Sequence, residues 1–253
     1  LLLTDLVSAL MLLTRLPVGR FARFGGAANL ARSVWAFPVV GLIVNAIGGL
    51  VYCAAHRVGM PPLLAAGWTL AATIIITGGL HEDGLADTAD GFGGGATPAR
   101  KMDIMRDSRI GTYGALALVL SVSIRASAIA ALGRPPAVAT AMIVAGMTGR
   151  AGILVMLLLL EPVRGSGMGA SVSNPRGAVA VCGLGLAVVV SLLSLPALLA
   201  AAVIGFGLGF CVILAKFAEH QIGGYTGDVL GASEVVTECI ILTVIASACG
   251  GRM

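Results

Sequence analysis

Apolar residues run along this chain in long blocks rather than at the spacing of a single helical face. Seven blocks approach the ~20 residues needed to cross a hydrocarbon core. They lie at about 33–55, 61–80, 111–132, 137–160, 178–194, 196–215 and 234–250. The fifth is short and Pro196 divides it from the sixth, so those two form either a tight hairpin or one broken element. The opening stretch LLLTDLVSALMLLTRLPVGR is apolar but ends at Pro17, and its positive charges follow the apolar run. That order does not fit a cleaved signal peptide and suits a helix lying in the membrane interface. The chain begins at Leu1 without an initiator Met, so a few residues are expected upstream. The pattern predicts an all-α fold: a polytopic integral membrane helical bundle of about seven spans plus an amino-terminal interfacial helix. Residues 1–253 form one membrane-embedded domain, with polar motif loops at about 81–109, 161–177 and 216–233.

Composition agrees with the block pattern. The chain is 58% hydrophobic and only 11% charged, with mean hydropathy +1.00, against roughly 25% charged in ordinary globular chains. Too little polar surface exists to coat a soluble core of this length. With the amino terminus cytoplasmic, one side collects Arg15, Arg20, Arg23, Arg32, Arg100, Lys101, Arg106, Arg109, Arg164, Arg176 and Lys216. The other side has Arg57, Arg134 and Arg252. This asymmetry orients the polar loops toward the cytoplasm. The net charge of +4 therefore reports orientation, and no basic, aromatic-interleaved patch points to nucleic acid. The five cysteines fall in apolar spans without a CxxC pair and read as small buried hydrophobes.

Against this background the segment GGLHEDGLADTADGFGGG, residues 78–95, stands out, because residues 82–90 hold four of the twelve carboxylates. Asp83, Asp87 and Asp90 are spaced i, i+4, i+7 and share one helical face, the outer two about 10 Å apart along the axis. That spacing suits two ions about 4 Å apart, or one ion and a catalytic base. Glu82 points roughly 100° off the stripe. Like charges on one face repel, and a hard divalent cation relieves the conflict; an all-oxygen set favours Mg²⁺, with Mn²⁺ as a substitute.

The segment RKMDIMRDSRIGTYG, residues 100–114, repeats the theme. Asp103 and Asp107 are i, i+4, interleaved with Arg100, Lys101, Arg106 and Arg109. Carboxylates for a metal beside arginines for phosphate oxygens suit phosphoryl transfer. A second polar island, GGYTGDVLGASEVVTE at 223–238, carries Asp228, Glu234 and Glu238. Carboxylates inside a span are functional candidates, and equally candidates to pair with the intramembrane Arg125 and Arg150. His81 reads as a neighbour that orients carboxylates; His56 and His220 show no partner in the pattern.

At these residues the chain resembles the cobalamin synthases, the adenosylcobinamide-GDP ribazoletransferases of bacterial vitamin B12 assembly. The resemblance rests on GGLHEDGLADTADG, IMRDSRIGTYGALAL and GGYTGDVLGASEVVTE, supported by LLTRLPVG and FPVVGLIVNAI. It implies a Mg²⁺-dependent enzyme of the bacterial cytoplasmic (inner) membrane, with its active site facing the cytoplasm. The ribose hydroxyl of α-ribazole, or of its 5′-phosphate, attacks the cobinamide-side phosphorus of adenosylcobinamide-GDP. GMP leaves, and adenosylcobalamin or its 5′-phosphate forms. Under this reading Glu82, Asp83, Asp87, Asp90 and Asp103 hold metal, and Asp87 and Asp107 are catalytic, Asp107 as the base. Arg106, Arg109 and the Gly91 backbone take the phosphates, while Asp228, Glu234 and Glu238 add a second-island site. The acidic face is also partly similar to the CDP-alcohol phosphotransferases, although no Ala-Arg follows Gly91 and the gap to Asp103 is shorter. A cation-coupled transporter is the alternative from another class; it predicts acids near the midplane and an inverted repeat. Both a monomer and a homo-oligomer fit the sequence.

Overall fold

The computed structural model describes residues 2–19, 30–163 and 177–250. Among them the chain is helical, with one isolated bridge between Pro162 and Tyr225. Helix α1 (Leu2–Leu13) precedes a short α2 (Leu30–Ser33), which passes through a 3-10 turn (Val34–Ala36) into α3 (Phe37–Arg57). Then follow α4 (Pro62–Thr77), α5 (Leu80–Gly94), α6 (Pro98–Met105), α7 (Thr112–Leu132) and α8 (Pro135–Leu159). The last three are α9 (Gly177–Ser194), α10 (Ala197–Ile222) and α11 (Gly227–Gly250). Six stretches are long and apolar enough to cross a membrane: Leu30–Arg57, α7, α8, α9, α10 and Gly227–Cys249. The expectation of a polytopic helical bundle holds.

The block at 61–80 differs in detail from the expected straight span. Helix α4 ends at Thr77, and α5 leaves it at 90°. The cause is local: Gly78 and Gly79 are both left-handed, with φ of 70° and 71°, a conformation that costs other residues about 1–2 kcal/mol each. Helix α5 therefore lies across the end of the bundle instead of extending the α4 span, and it carries the acidic segment there. The motif loops are likewise more ordered than expected. The 81–109 region is largely α5 and α6, and the 216–233 region is the end of α10 and the start of α11. Of 161–177, only 161–163 and Gly177 are among the described residues; Arg20, Arg23, Arg164, Arg176 and Arg252 lie outside them. The two blocks around Pro196 are two separate helices that pack on each other.

Helices α8 and α11 form the centre: 78% of each apolar window is buried, against 22% for α9 and α10. The outer helices leave Val181, Leu193, Leu198, Phe206 and Ile213 exposed, as lipid-facing surfaces do. Helix α3 packs against α8 where Gly41 meets Gly146; a Cβ on Gly41 would overlap the Gly146 carbonyl. Small residues at a crossing let helices approach closely where no hydrophobic effect drives them together.

The hydrogen bonds define two ends. At one, Arg15 N donates to Ile76 O (2.7 Å), joining the end of α1 to the end of α4. At the same end Val163 N donates to Tyr225 O (3.0 Å) and Tyr225 N to Glu161 O (3.1 Å), tying the segment after α8 to the α10–α11 turn. Lys101 of α6 bonds Gln221 of α10 there. At the opposite end the Tyr52 hydroxyl donates to Gly133 O (3.1 Å), joining α3 to the α7–α8 turn.

Candidate functional site

A cleft of about 700 Å³ opens at the end where α5 lies. One wall is the exposed side of α5, with Glu82, Asp83 and Asp87; Gly78 and Gly79 also line the cleft. The lining also includes Ser108 and Ile110 from the α6–α7 connection and Arg15 just after α1, whose side chain lies against Gly78. Helix α5 presents its acids here because its first turn carries Glu82 and Asp83, where the positive end of a helix dipole favours negative charge.

The Asp83–Asp87–Asp90 stripe forms on α5, but its members do different work. Asp83 is exposed and Asp87 half-buried in the cleft, while Asp90 is buried. The Asp90 carboxylate accepts from Gly111 N (2.7 Å) and Gly114 N (2.9 Å) and thereby fixes the start of α7. Those bonds use both of its oxygens, so Asp90 anchors α7 instead of facing the cleft. Partial burial, and then the negative charges of Asp83, Asp228 and Asp90, push the Asp87 carboxyl up to about 6. Asp228 reaches this group because the first turn of α11 packs against Gly84 of α5. Among the described residues no three His, Cys, Asp or Glu side chains converge tightly enough to enclose one ion.

The second acidic segment is not brought to the cleft wall. Asp103 and Arg106 are exposed on α6 and at its end, and neither lines the cleft. Asp107 pairs with Arg109, which donates through its Nη2 (2.7 Å) and Nε (3.0 Å). Hydrogen bonding to Arg109 holds the Asp107 carboxyl down to about 2. Gly91 lies against Met105 of α6, away from the cleft. Of residues 103–110, then, Ser108 and Ile110 reach the cleft while the predicted site residues point elsewhere.

Behind the α5 wall sits a buried ionic cluster. Arg125 Nη2 of α7 donates to Glu82 Oε1 (3.0 Å), and its Nη1 to Glu238 Oε2 (3.4 Å). Arg150 Nη1 of α8 lies 2.7 Å from Glu234 Oε1 and 3.5 Å from Glu238 Oε1. Asn45 Nδ2 of α3 donates to Glu238 Oε1 (3.1 Å), and His81 Nδ1 lies 3.7 Å from Glu234 Oε2. The pairing anticipated between Arg125 or Arg150 and the glutamates is thus realised, and it includes Glu82, whose off-stripe direction turns it inward. Removing such ions from water is costly, and only mutual pairing with further hydrogen bonds makes it tolerable. The interior space among these groups is about 10 Å³. His81 Nε2 and Arg150 Nε have no partner there.

Two residues escaped the sequence reading. Asn45 looked like one polar position in an apolar run, and only the α3–α8–α11 packing shows that it faces Glu238. Arg15 counted as a cytoplasmic positive charge, yet it sits on the rim of the acidic cleft. It lies just past α1, which ends at Leu13, in the short segment whose backbone meets the end of α4.

Comparison with known proteins identifies the family. A profile of the cobalamin-5-phosphate synthase family matches residues 5–246. The chain is 46% identical to the adenosylcobinamide-GDP ribazoletransferase of Bradyrhizobium diazoefficiens, over 99% of this chain and 96% of that protein. It is 41% identical to the protein of the same name from Mesorhizobium japonicum, over 98% and 94% of the two chains. For the Azorhizobium caulinodans protein, also an adenosylcobinamide-GDP ribazoletransferase, the identity is 38% over 95% and 94%. No solved structure matches. With coverage of nearly the whole sequence, this chain belongs to the cobalamin-5-phosphate synthase family.

Proposed function

We propose that this chain is a membrane-embedded adenosylcobinamide-GDP ribazoletransferase acting at the α5 cleft. The ribose hydroxyl oxygen of α-ribazole, or of its 5′-phosphate, forms a bond to the cobinamide-side phosphorus. The bond from that phosphorus to the bridging oxygen breaks, GMP leaves with the electron pair, and the hydroxyl proton is released. The observation that carries this reading is the carboxylate wall, Asp83 and Asp87 with Asp228 beside them, facing an open cleft in a chain of this family. The relatives' names supply the substrates.

The donor chemistry of that wall suits a hard divalent cation, Mg²⁺ or Mn²⁺. All its groups are carboxylate oxygens, and repulsion among them is relieved by positive charge. Asp83 and Asp87 would hold it, with Asp228 as a third candidate from α11. Since no three side chains among the described residues close a shell by themselves, water and phosphate oxygens would complete it, as is usual for Mg²⁺. Bound there, the ion would neutralise charge developing on the leaving phosphate. Glu82 and Asp90 position the wall, Glu82 through Arg125 and Asp90 through the start of α7. Asp107 is tied to Arg109, so a role for it as base requires release of that pair. Arg106 and Arg109 reach phosphate only if the 106–110 segment folds inward over the cleft.

The transporter alternative draws on the buried Arg–Glu cluster, but the space inside that cluster admits about one water. The acids that face open solvent are at one end of the bundle. Purified protein in liposomes, given adenosylcobinamide-GDP, α-ribazole and Mg²⁺, should release GMP and form the cobamide. Absence of GMP release from folded protein would overturn the proposal, and solute uptake without it would favour transport.

A further inference from the structure

We propose that Arg15 is a substrate-binding residue that takes a diphosphate oxygen of the nucleotide-linked donor in the α5 cleft. The inference rests on the transferase reading for the identity of the donor, and on independent geometry for the anion. A diphosphate entering a cleft walled by Asp83 and Asp87 meets negative charge. A divalent cation held by those carboxylates would offset part of it, and a positive side chain lining the same cleft would offset more. Among the described residues lining this cleft, Arg15 is the basic one. Arg106 is not among them, and Arg109 is committed to Asp107.

Arg15 is also held in place. Its backbone N–H donates to Ile76 O, and the Thr14 side chain just before it caps the end of α1 by donating to Leu10 O (2.6 Å). Its side chain crosses the left-handed Gly78, where any Cβ would overlap the guanidinium stem. The same glycine that turns α5 across the bundle therefore makes the room in which Arg15 lies. The ion pairs found among the described residues join other arginines to carboxylates and do not include Arg15. A guanidinium that lines the same cleft as the acids without being paired to them is available for an anionic ligand, and its planar donors match two phosphate oxygens. A mere interfacial anchor would place the same charge anywhere on the rim; the Ile76 bond and the Gly78 seat specify one position.

The test uses full-length protein in nanodiscs and three variants: Arg15→Met, which keeps the stem over Gly78 and removes the charge; Arg15→Lys, which keeps the charge; and Arg57→Gln at the opposite end as a control. Binding of inorganic pyrophosphate with Mg²⁺ is measured by calorimetry, and KM and kcat are measured for donor and acceptor separately. Thermal midpoints verify folding. Arg15→Met should weaken pyrophosphate binding by about tenfold or more, the scale of one hydrogen bond to a charged group. The donor KM should rise by a similar factor while the acceptor KM stays unchanged. Arg15→Lys should recover most of the pyrophosphate binding, and Arg57→Gln should match the wild type. Wild-type pyrophosphate affinity in folded Arg15→Met would overturn the inference, as would a loss confined to thermal stability. If wild-type protein binds pyrophosphate in an Arg15-dependent way but releases no GMP from the donor, the anion site stands and the transferase reading falls.

Discussion

Each carboxylate in the acidic segment has a fate set by its own surroundings. Asp87 stands in the cleft among like charges, Glu82 turns inward to Arg125, and Asp90 is consumed by two backbone N–H groups. Asp87→Asn should therefore abolish GMP release, because an amide carries no net charge and binds a hard cation poorly. Glu82→Gln should keep more turnover per folded molecule than Asp87→Asn while lowering thermal stability. Turnover across a Mg²⁺ titration, with melting curves on the same samples, separates the two; equal loss of turnover without destabilisation in Glu82→Gln would place Glu82 among the metal ligands. For Asp107 the pairing sets the sign of its pH dependence. Its folded value near 2 lies below the usual carboxylate range, so what the pair contributes to loop order is present above about pH 4 and disappears as pH falls toward 2. Arg109→Gln should return the Asp107 titration to the ordinary range, as read by carboxyl ¹³C NMR. The i, i+4, i+7 spacing made the shared helical face legible in sequence. Which member faced solvent and which faced Gly111 was not, because that depends on the angle at which α7 approaches.

At the scale of elements, the α4–α5 corner and the buried cluster hold the site together. An apolar block followed by Gly-Gly reads as the end of a span, but a 90° bend depends on both glycines adopting positive φ, which composition alone does not signal. Gly79→Ala tests the corner cleanly, since a Cβ there meets only Ile74 Cγ2 at 4.0 Å. The expected cost is then the left-handed strain alone, about 1–2 kcal/mol, read as a lower melting point. An unchanged melting point would mean that the bend is not strained. The cluster joins five helices: α3 through Asn45, α5 through Glu82 and His81, α7 through Arg125, α8 through Arg150, and α11 through Glu234 and Glu238. Glu234→Gln removes the closest charge partner of Arg150, which then keeps its bond to Gly146 O and a longer contact to Glu238, so the loss should approach the ~3–5 kcal/mol of a broken buried pair. Adding Arg150→Met should restore part of the folded yield, since the uncompensated charge is then gone as well. Should the single variant fold normally yet lose turnover, the cluster would belong to the chemistry and not to the scaffold. The sequence brought these residues forward as intramembrane charges; it could not choose between pairing and chemistry because partners 113 residues apart, such as Arg125 and Glu238, meet only after packing.

Across the whole molecule, charge and geometry select the same end. The described basic residues Arg15, Arg32, Arg100, Lys101, Arg106 and Arg109 lie on the side of the α5 cleft, whereas Arg57 and Arg134 lie on the side where Tyr52 meets the α7–α8 turn. The positive-inside rule then predicts that the cleft faces the cytoplasm, where a phosphate-rich nucleotide donor would be available without crossing the bilayer. The apolar blocks and the sided Lys/Arg distribution were legible in the sequence, because neither depends on packing. The prediction is tested by replacing the native cysteines with Ser and introducing single cysteines at exposed positions: Ala96 and His220 at the cleft end, Arg57 and Arg134 at the other. In intact cells an impermeant maleimide should label the Arg57 and Arg134 positions and leave Ala96 and His220 unlabelled. After permeabilisation, or in inside-out vesicles, Ala96 and His220 should react as well. The reverse pattern would put the cleft outside and, with it, remove the source of nucleotide donor on which the proposed transfer depends. Mixed labelling at the two cleft-end positions would instead show that α6 and the end of α10 do not share a side, contrary to the Lys101–Gln221 contact that joins them.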